Sequence, residues 1–294
     1  MALIIGTTAT AATWRVDANG NITRNGQQYQ IRGGSWFGLE GRHEPSDDPN
    51  NPSGAPMEMY MGNVWWAESG RTYEQDAQEM AQMGFNTIRL PLVHQTLDPN
   101  DPQGRDPYLK NAPSVIIENA RLAVETVIQV CEANGMAVLL DIHSCNNYVG
   151  WRAGRLDDSP PWVDATRDNY DFTREDYDCG GYNVSTWTAD LQDLATIASS
   201  DTIMGIEIFN EPYDYTWSEW RSLIDTAYNA INSANSDLLV FAGGIGSEAQ
   251  DNSIMVPNGD PDLNPNWGEN LFEAGDNPPS MPKERLTASA HATF

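Results

Sequence analysis

Short apolar runs rich in branched residues alternate with capped amphipathic helical stretches along almost the whole chain, and few architectures accept that pattern. Phe85 to Leu92, Met136 to Leu140, Ile203 to Phe209, Leu238 to Phe241 and Leu286 to Ala290 are too apolar to be strands with one wet face. They read as strands covered on both sides, and helices lie between them. Thr72-Tyr73-Glu74-Gln75 and Thr216-Trp217-Ser218-Glu219 are capping boxes, each starting a helix with a hydroxyl at the N-cap and a Gln or Glu reaching back. The first of these helices stops at Gly84. Ser114 caps a third, whose apolar positions Ile116, Ala120, Ala123, Val127 and Cys131 keep helical spacing. A fourth is centred on Trp187, Leu191 and Leu194. With Tyr29–Gly38 as the first, six strands are expected. Before them, Trp14–Asp17 and Ile22–Arg24 flank Ala18-Asn19-Gly20 as a β-hairpin.

Strand–helix alternation admits an open doubly wound sheet or a closed barrel. The Gly-Gly-Ile-Gly at 243–246 follows a late strand, and no phosphate-binding GxxxxGK[ST] loop exists, so a nucleotide fold gains no support. Polar residues gather instead after several different strands: Arg89, His143, Asn210-Glu211 and His291. That is where a (β/α)₈ barrel builds its chemistry.

Lys and Arg number 16 against 42 Asp and Glu, a net charge of −26. Such a field repels nucleic acid. Lys110 and Lys283 are the only lysines, and an acidic, lysine-poor surface suits concentrated salt, where screening relieves its self-repulsion; a halophilic protein is the expectation. No apolar run is long enough to cross a membrane. Residues 1–12, with Ala9-Thr10-Ala11 as a small-x-small site, read as the remnant of a secretion signal, and 13–294 as one barrel domain. Cys145 and Cys179 are expected to pair, as an oxidising compartment permits, and Cys131 to be a free buried thiol. There is no HExxH or CxxC, so neither a metal nor a cofactor is expected.

The sharpest element is Ile206-Glu207-Ile208-Phe209-Asn210-Glu211-Pro212. Pro212 stops the strand and holds Glu211 at its tip. A Glu there can protonate a leaving oxygen, and an Asn beside it can bond a sugar 2-hydroxyl as an oxocarbenium-like transition state forms. Glu211 as a cap of the next turn is the plainer alternative. Arg89, unable to shed its charge, needs a carboxylate partner at the mouth, either as functional machinery or as a structural ion pair. His143 and His291 each end a strand.

Taken in order, Trp36-Phe37-Gly38, Gly84-Phe85-Asn86-Thr87-Ile88-Arg89-Leu90-Pro91, Leu140-Asp141-Ile142-His143, Phe209-Asn210-Glu211-Pro212, Asn266-Trp267-Gly268-Glu269-Asn270-Leu271 and Ser289-Ala290-His291 resemble glycoside hydrolase family five, in particular its endo-β-1,4-glucanases. The resemblance implies a TIM-type (β/α)₈ barrel, secreted and monomeric, acting on a β-glucan polysaccharide with retention and no cofactor. It implies Glu211 as general acid/base, Asn210 at the 2-hydroxyl, Arg89 orienting the nucleophile, His143 and His291 lining the cleavage point, and Trp36 and Trp267 stacking on sugar rings. The family also needs a nucleophilic Glu after a seventh strand and a Trp after an eighth. Phe294 comes just past the sixth, so the expectation is a barrel truncated after about six strands, with the nucleophile beyond it. Where the family sets a Tyr two residues past the histidine, Thr293 stands here. β-Mannanase or another β-glycanase of the same fold, and a non-catalytic carbohydrate-binding protein, are the rival functions.

Overall fold

The computed structural model describes residues 11–36, 39, 72–99, 120–144, 156, 182–212, 215–245 and 271–289. Six strands form one parallel sheet in sequential order: β4 (Gly33–Ser35), β5 (Thr87–Val93), β6 (Ala137–Ser144), β7 (Ile203–Glu207), β8 (Leu239–Gly243) and β9 (Leu286–Ser289). Each strand pairs only with its chain neighbours, as successive staves of a (β/α)₈ barrel do. Helices α1 (Tyr73–Gln82), α2 (Ala120–Ala133), α3 (Val184–Leu194) and α4 (Trp217–Ala234) connect the first five strands.

Both capping boxes form, Thr72 with Gln75 on α1 and Thr216 with Glu219 on α4. Asn183 caps α3 through the backbone N–H groups of Ser185 and Thr186. The helices turn one stripe to the sheet: Trp220, Ile224, Ala227 and Ile231 of α4 are buried, with Trp187, Leu191 and Leu194 of α3. They pack on the outward side chains of the strands, among them Leu90, Leu140, Ile206 and Val240.

Residues facing the other way fill the barrel in layers. At the N-terminal end of the strands, Ala137, Leu139, Met204, Leu239 and Phe241 make a separate apolar cluster around Trp14. Trp14 comes from the hairpin, β1 (Trp14–Val16) with β2 (Ile22–Arg24), and its Nε1 donates to the Ser200 carbonyl at 2.7 Å. The hairpin is therefore the floor plug of the barrel. Close packing here leaves no room at Gly205, where an added Cβ would lie 2.5 Å from the Leu239 carbonyl oxygen and 2.9 Å from the Phe241 ring.

One expectation is borne out and extended, and one needs correcting. The hairpin continues into a third strand, β3 (Gln27–Gln28), through Asn25 and Gly26, which both have positive φ. This is the Asn-Gly turn that favours a right-twisted ribbon. The strand expected from Tyr29 to Gly38 begins only at Gly33. Tyr29 instead turns onto Trp14, ring centroids 4.9 Å apart, and its hydroxyl donates to the Asn86 carbonyl. The Asn86 side chain then takes up the Gln30 carbonyl and the Arg32 N–H, which holds this stretch off the sheet.

Cys131 is a free buried thiol in α2, and burial pushes its pKa up to about 12. The start of the expected signal remnant, the Ser114 cap, Cys145, Cys179, Trp267 and His291 lie outside the described residues. Among the described residues no helix is long and apolar enough to cross a membrane, and no group of His, Cys, Asp and Glu could hold a metal ion.

Candidate active site

The mouth is built by inward-facing positions toward the C-terminal side of the strands; Arg89, expected to end its strand, is the third of the seven residues of β5, which runs on to Val93. Ser35 on β4 pairs in register with Arg89 on β5, Asp141 on β6 with Glu207 on β7, and Gly243 on β8 with Ser289 on β9. Asp141 and Glu207 are fully buried. Two adjacent buried carboxylates repel each other unless a cation divides them. Arg89 does so: Nε donates to Glu207 Oε2 at 2.6 Å, and Nη2 lies 2.9 Å from Asp141 Oδ2. Burial pulls the guanidinium pKa down, but the charges of Asp141 and Glu207 outweigh it and hold Arg89 above its ordinary value, with Glu211 adding to the effect.

The network reaches the strand tips. Arg89 Nη2 also donates to Asn210 Oδ1 at 2.7 Å. His143, two residues along β6 from Asp141 and so on the same face, bonds Asp141 Oδ2 through Nδ1 at 2.7 Å. A carboxylate only accepts, so Nδ1 carries the hydrogen. Ser289 donates to the other oxygen of Glu207 at 3.1 Å.

Glu211 sits half-buried at the tip of β7. Its φ of +45° lies in the left-handed region, rare for a residue with a side chain. Strain of that kind, about 1–3 kcal/mol, persists only where the surroundings impose it. They do so here: the Asn210 N–H is bound to the Ile142 carbonyl, the Ile208 N–H to the Phe241 carbonyl, and the Ile208 carbonyl to the Trp187 indole. The backbone on either side of β7 thus fixes where Glu211 leaves the sheet.

Arg89, His143, Asn210 and Glu211, picked out of the sequence one by one, therefore converge on one mouth. Trp36 follows β4 directly and is 7% exposed, packed edge-on against Tyr73 at 6.4 Å. Sequence reading missed Asp141, Glu207 and Ser289 as members of the site. The signal was present: an acidic residue between branched apolar neighbours within a buried strand is out of place unless it has a partner.

A (β/α)-barrel wall with a buried ionic network beneath a strained, proline-flanked glutamate places the polar side chains where barrels of this kind build their sites. The chain belongs to the cellulase family, glycosyl hydrolase family 5, whose model matches residues 50–292. It is 50% identical to Endoglucanase C of Cellvibrio japonicus over 95% of this chain and 41% of that protein. It is 24% identical to the major extracellular endoglucanase of Xanthomonas campestris, over 92% of this chain and 47% of that one. The chain thus spans about half or less of the length of these relatives. The fold matches the catalytic domain of the Xanthomonas campestris major endoglucanase with a TM-score of 0.65 at 22% identity, covering 94% of this chain and 66% of that one. It also matches a Pyrococcus horikoshii endocellulase in complex with cellotetraose, with a TM-score of 0.62 at 22% identity over 97% and 70% of the two chains.

Proposed function

We propose that the protein hydrolyses β-1,4-glucosidic bonds of cellulose or a related β-glucan outside the cell, retaining the anomeric configuration. The observation that carries this is the convergence of Glu211, Asn210, Arg89 and His143 on one barrel mouth, with Glu211 held at the rim and the others in the buried network. The family membership and the endoglucanase names of the relatives support the substrate class.

In this reading Glu211 protonates the glycosidic oxygen and later takes a proton from the incoming water. Its strand-tip position leaves it half-exposed, where a leaving group can reach it. Asn210 Oδ1 is occupied by Arg89, so its Nδ2 hydrogens are the ones presented to the sugar 2-hydroxyl. His143, its ring oriented by the Nδ1 bond to Asp141, lines the cleavage point. The family pattern assigns His291 to the cleavage point and Trp267 to sugar stacking, and Trp36, nearly buried, contributes only a small part of its ring. The second carboxylate is the one that the family pattern sets after a seventh strand. Retention needs it about 5–5.5 Å from Glu211, so that it attacks the sugar directly.

The test is NMR of the first product released from a soluble β-1,4-glucan by the full-length protein. The β-anomer appearing first is the expected result; the α-anomer first overturns the retaining mechanism. A parallel panel with β-mannan separates the glucanase from the mannanase alternative.

A further inference from the structure

Arg89 already has one buried carboxylate in Asp141, enough to balance its charge. Glu207 adds a second, fully buried on the adjacent strand, so the trio carries a surplus negative charge. Packing alone does not call for this, because an apolar side chain of similar size commonly fills a buried position as well or better. The placement of the bonds shows what Glu207 supplies. Nε and Nη2 share one edge of the guanidinium plane. Glu207 grips Nε at 2.6 Å, and Nη2 of the same edge meets Asn210 Oδ1 at 2.7 Å. Glu207 is the last residue of β7 and Asn210 lies three residues beyond it, so a single planar group bridges the end of the strand and the turn that carries Glu211. Glu207 is itself pinned from β9 by the Ser289 hydroxyl.

We propose that Glu207 is a positioning residue for transition-state recognition. Through the Arg89 guanidinium it fixes the amide of Asn210 with Oδ1 inward and Nδ2 toward the sugar 2-hydroxyl. Glu207 touches no substrate. Asp141 holds the charge of Arg89, and Glu207 sets the plane and rotation of its guanidinium. Glu207→Gln keeps the size of the side chain but weakens the charge-assisted bond that sets this orientation. This inference rests on the β-glucanase reading.

The experiment measures kcat and KM of the full-length protein on an aryl β-cellobioside and on its counterpart lacking the 2-hydroxyl of the sugar at the cleaved bond. For Glu207→Gln, kcat on the hydroxylated substrate falls by about tenfold to hundredfold with KM little changed, the size expected of a misplaced catalytic contact. The loss on the 2-deoxy substrate is several times smaller. In an Asn210→Ala background, Glu207→Gln has little further selective effect, because the end of the relay is already gone. Ser289→Ala, which removes only the outer bond to Glu207, gives a weaker loss of the same selective kind and keeps the test open if Glu207→Gln does not fold. Equal losses on both substrates, for whichever of the two variants folds, overturn the positioning role. Glu211→Gln is measured alongside. If it leaves both substrates untouched, the β-glucanase reading falls and takes this inference with it. If it abolishes cleavage while the Glu207 and Ser289 variants show no selectivity, the inference alone falls.

Discussion

Asp141 and Glu207 are register partners on neighbouring parallel strands, both fully buried, and the Arg89 guanidinium bonds to both. The stability of the barrel mouth therefore hangs on that guanidinium. Arg89→Ala leaves two buried carboxylates facing each other without a cation, and removing one partner of such a buried cluster costs about 3–5 kcal/mol. Denaturant unfolding of the variant is expected to show that loss together with loss of activity. A variant as stable as the parent would mean that the two carboxylates are reached by water.

His94, just past the end of β5, has Nδ1 3.0 Å from both oxygens of Asp190 on α3, and the Tyr182 hydroxyl donates to the same carboxylate. The hydrogen bond that His94 donates to Asp190 raises the His94 pKa, outweighing the partial burial that lowers it. A group whose pKa rises on folding binds its proton more tightly in the native state. Its contribution is fully present below the unfolded value near 6.5 and is lost as pH rises through the higher folded value. The parent should therefore lose stability relative to His94→Gln as pH rises from about 6.5 through the higher folded value. Parallel pH–stability curves for the two proteins would show that the pair is not coupled to folding.

The order of strands and helices was legible because it rests on local chemistry: apolar runs for buried strands, and Thr72 with Gln75 or Thr216 with Glu219 for helix starts. The site was half legible. His143, Asn210 and Glu211 stand at or just past strand ends, where a polar residue stands out against the run before it, and Arg89 stands out as a charge inside the apolar run of β5. Asp141 and Glu207 sit inside the runs, and their function depends on which strand lies next to which. Register across a parallel sheet is a tertiary fact that no single segment encodes. The plug formed by Trp14 escaped notice for the same reason, since its partners come from β6, β7 and β8.

Gly205 offers a test of how tightly the barrel floor is packed. Gly205→Ala pushes a methyl group against the Leu239 carbonyl and the Phe241 ring. Overpacking of this kind costs about 1–3 kcal/mol. A thermal melt should show the drop, and an unchanged melting temperature would mean that β7 and β8 can move apart.

With a net charge of −26, the folded chain carries a self-repulsion that dissolved salt screens. The melting temperature should climb from dilute buffer past 0.15 M and on toward molar NaCl, because screening continues to shorten the range of the field. A flat profile would remove the case for salt adaptation.

The central claim is that Glu211, held in a left-handed backbone conformation at the tip of β7, is the general acid/base. The most direct measurement is kcat/KM, which reports the first step, of Glu211→Gln in the full-length protein on aryl β-cellobiosides of graded leaving-group acidity. Acid catalysis predicts a loss of about 10²–10⁴-fold for poor leaving groups. The first step should recover toward the parent rate as the leaving group becomes acidic enough to depart without a proton. A uniform loss across the series, or none at all, would contradict the assignment.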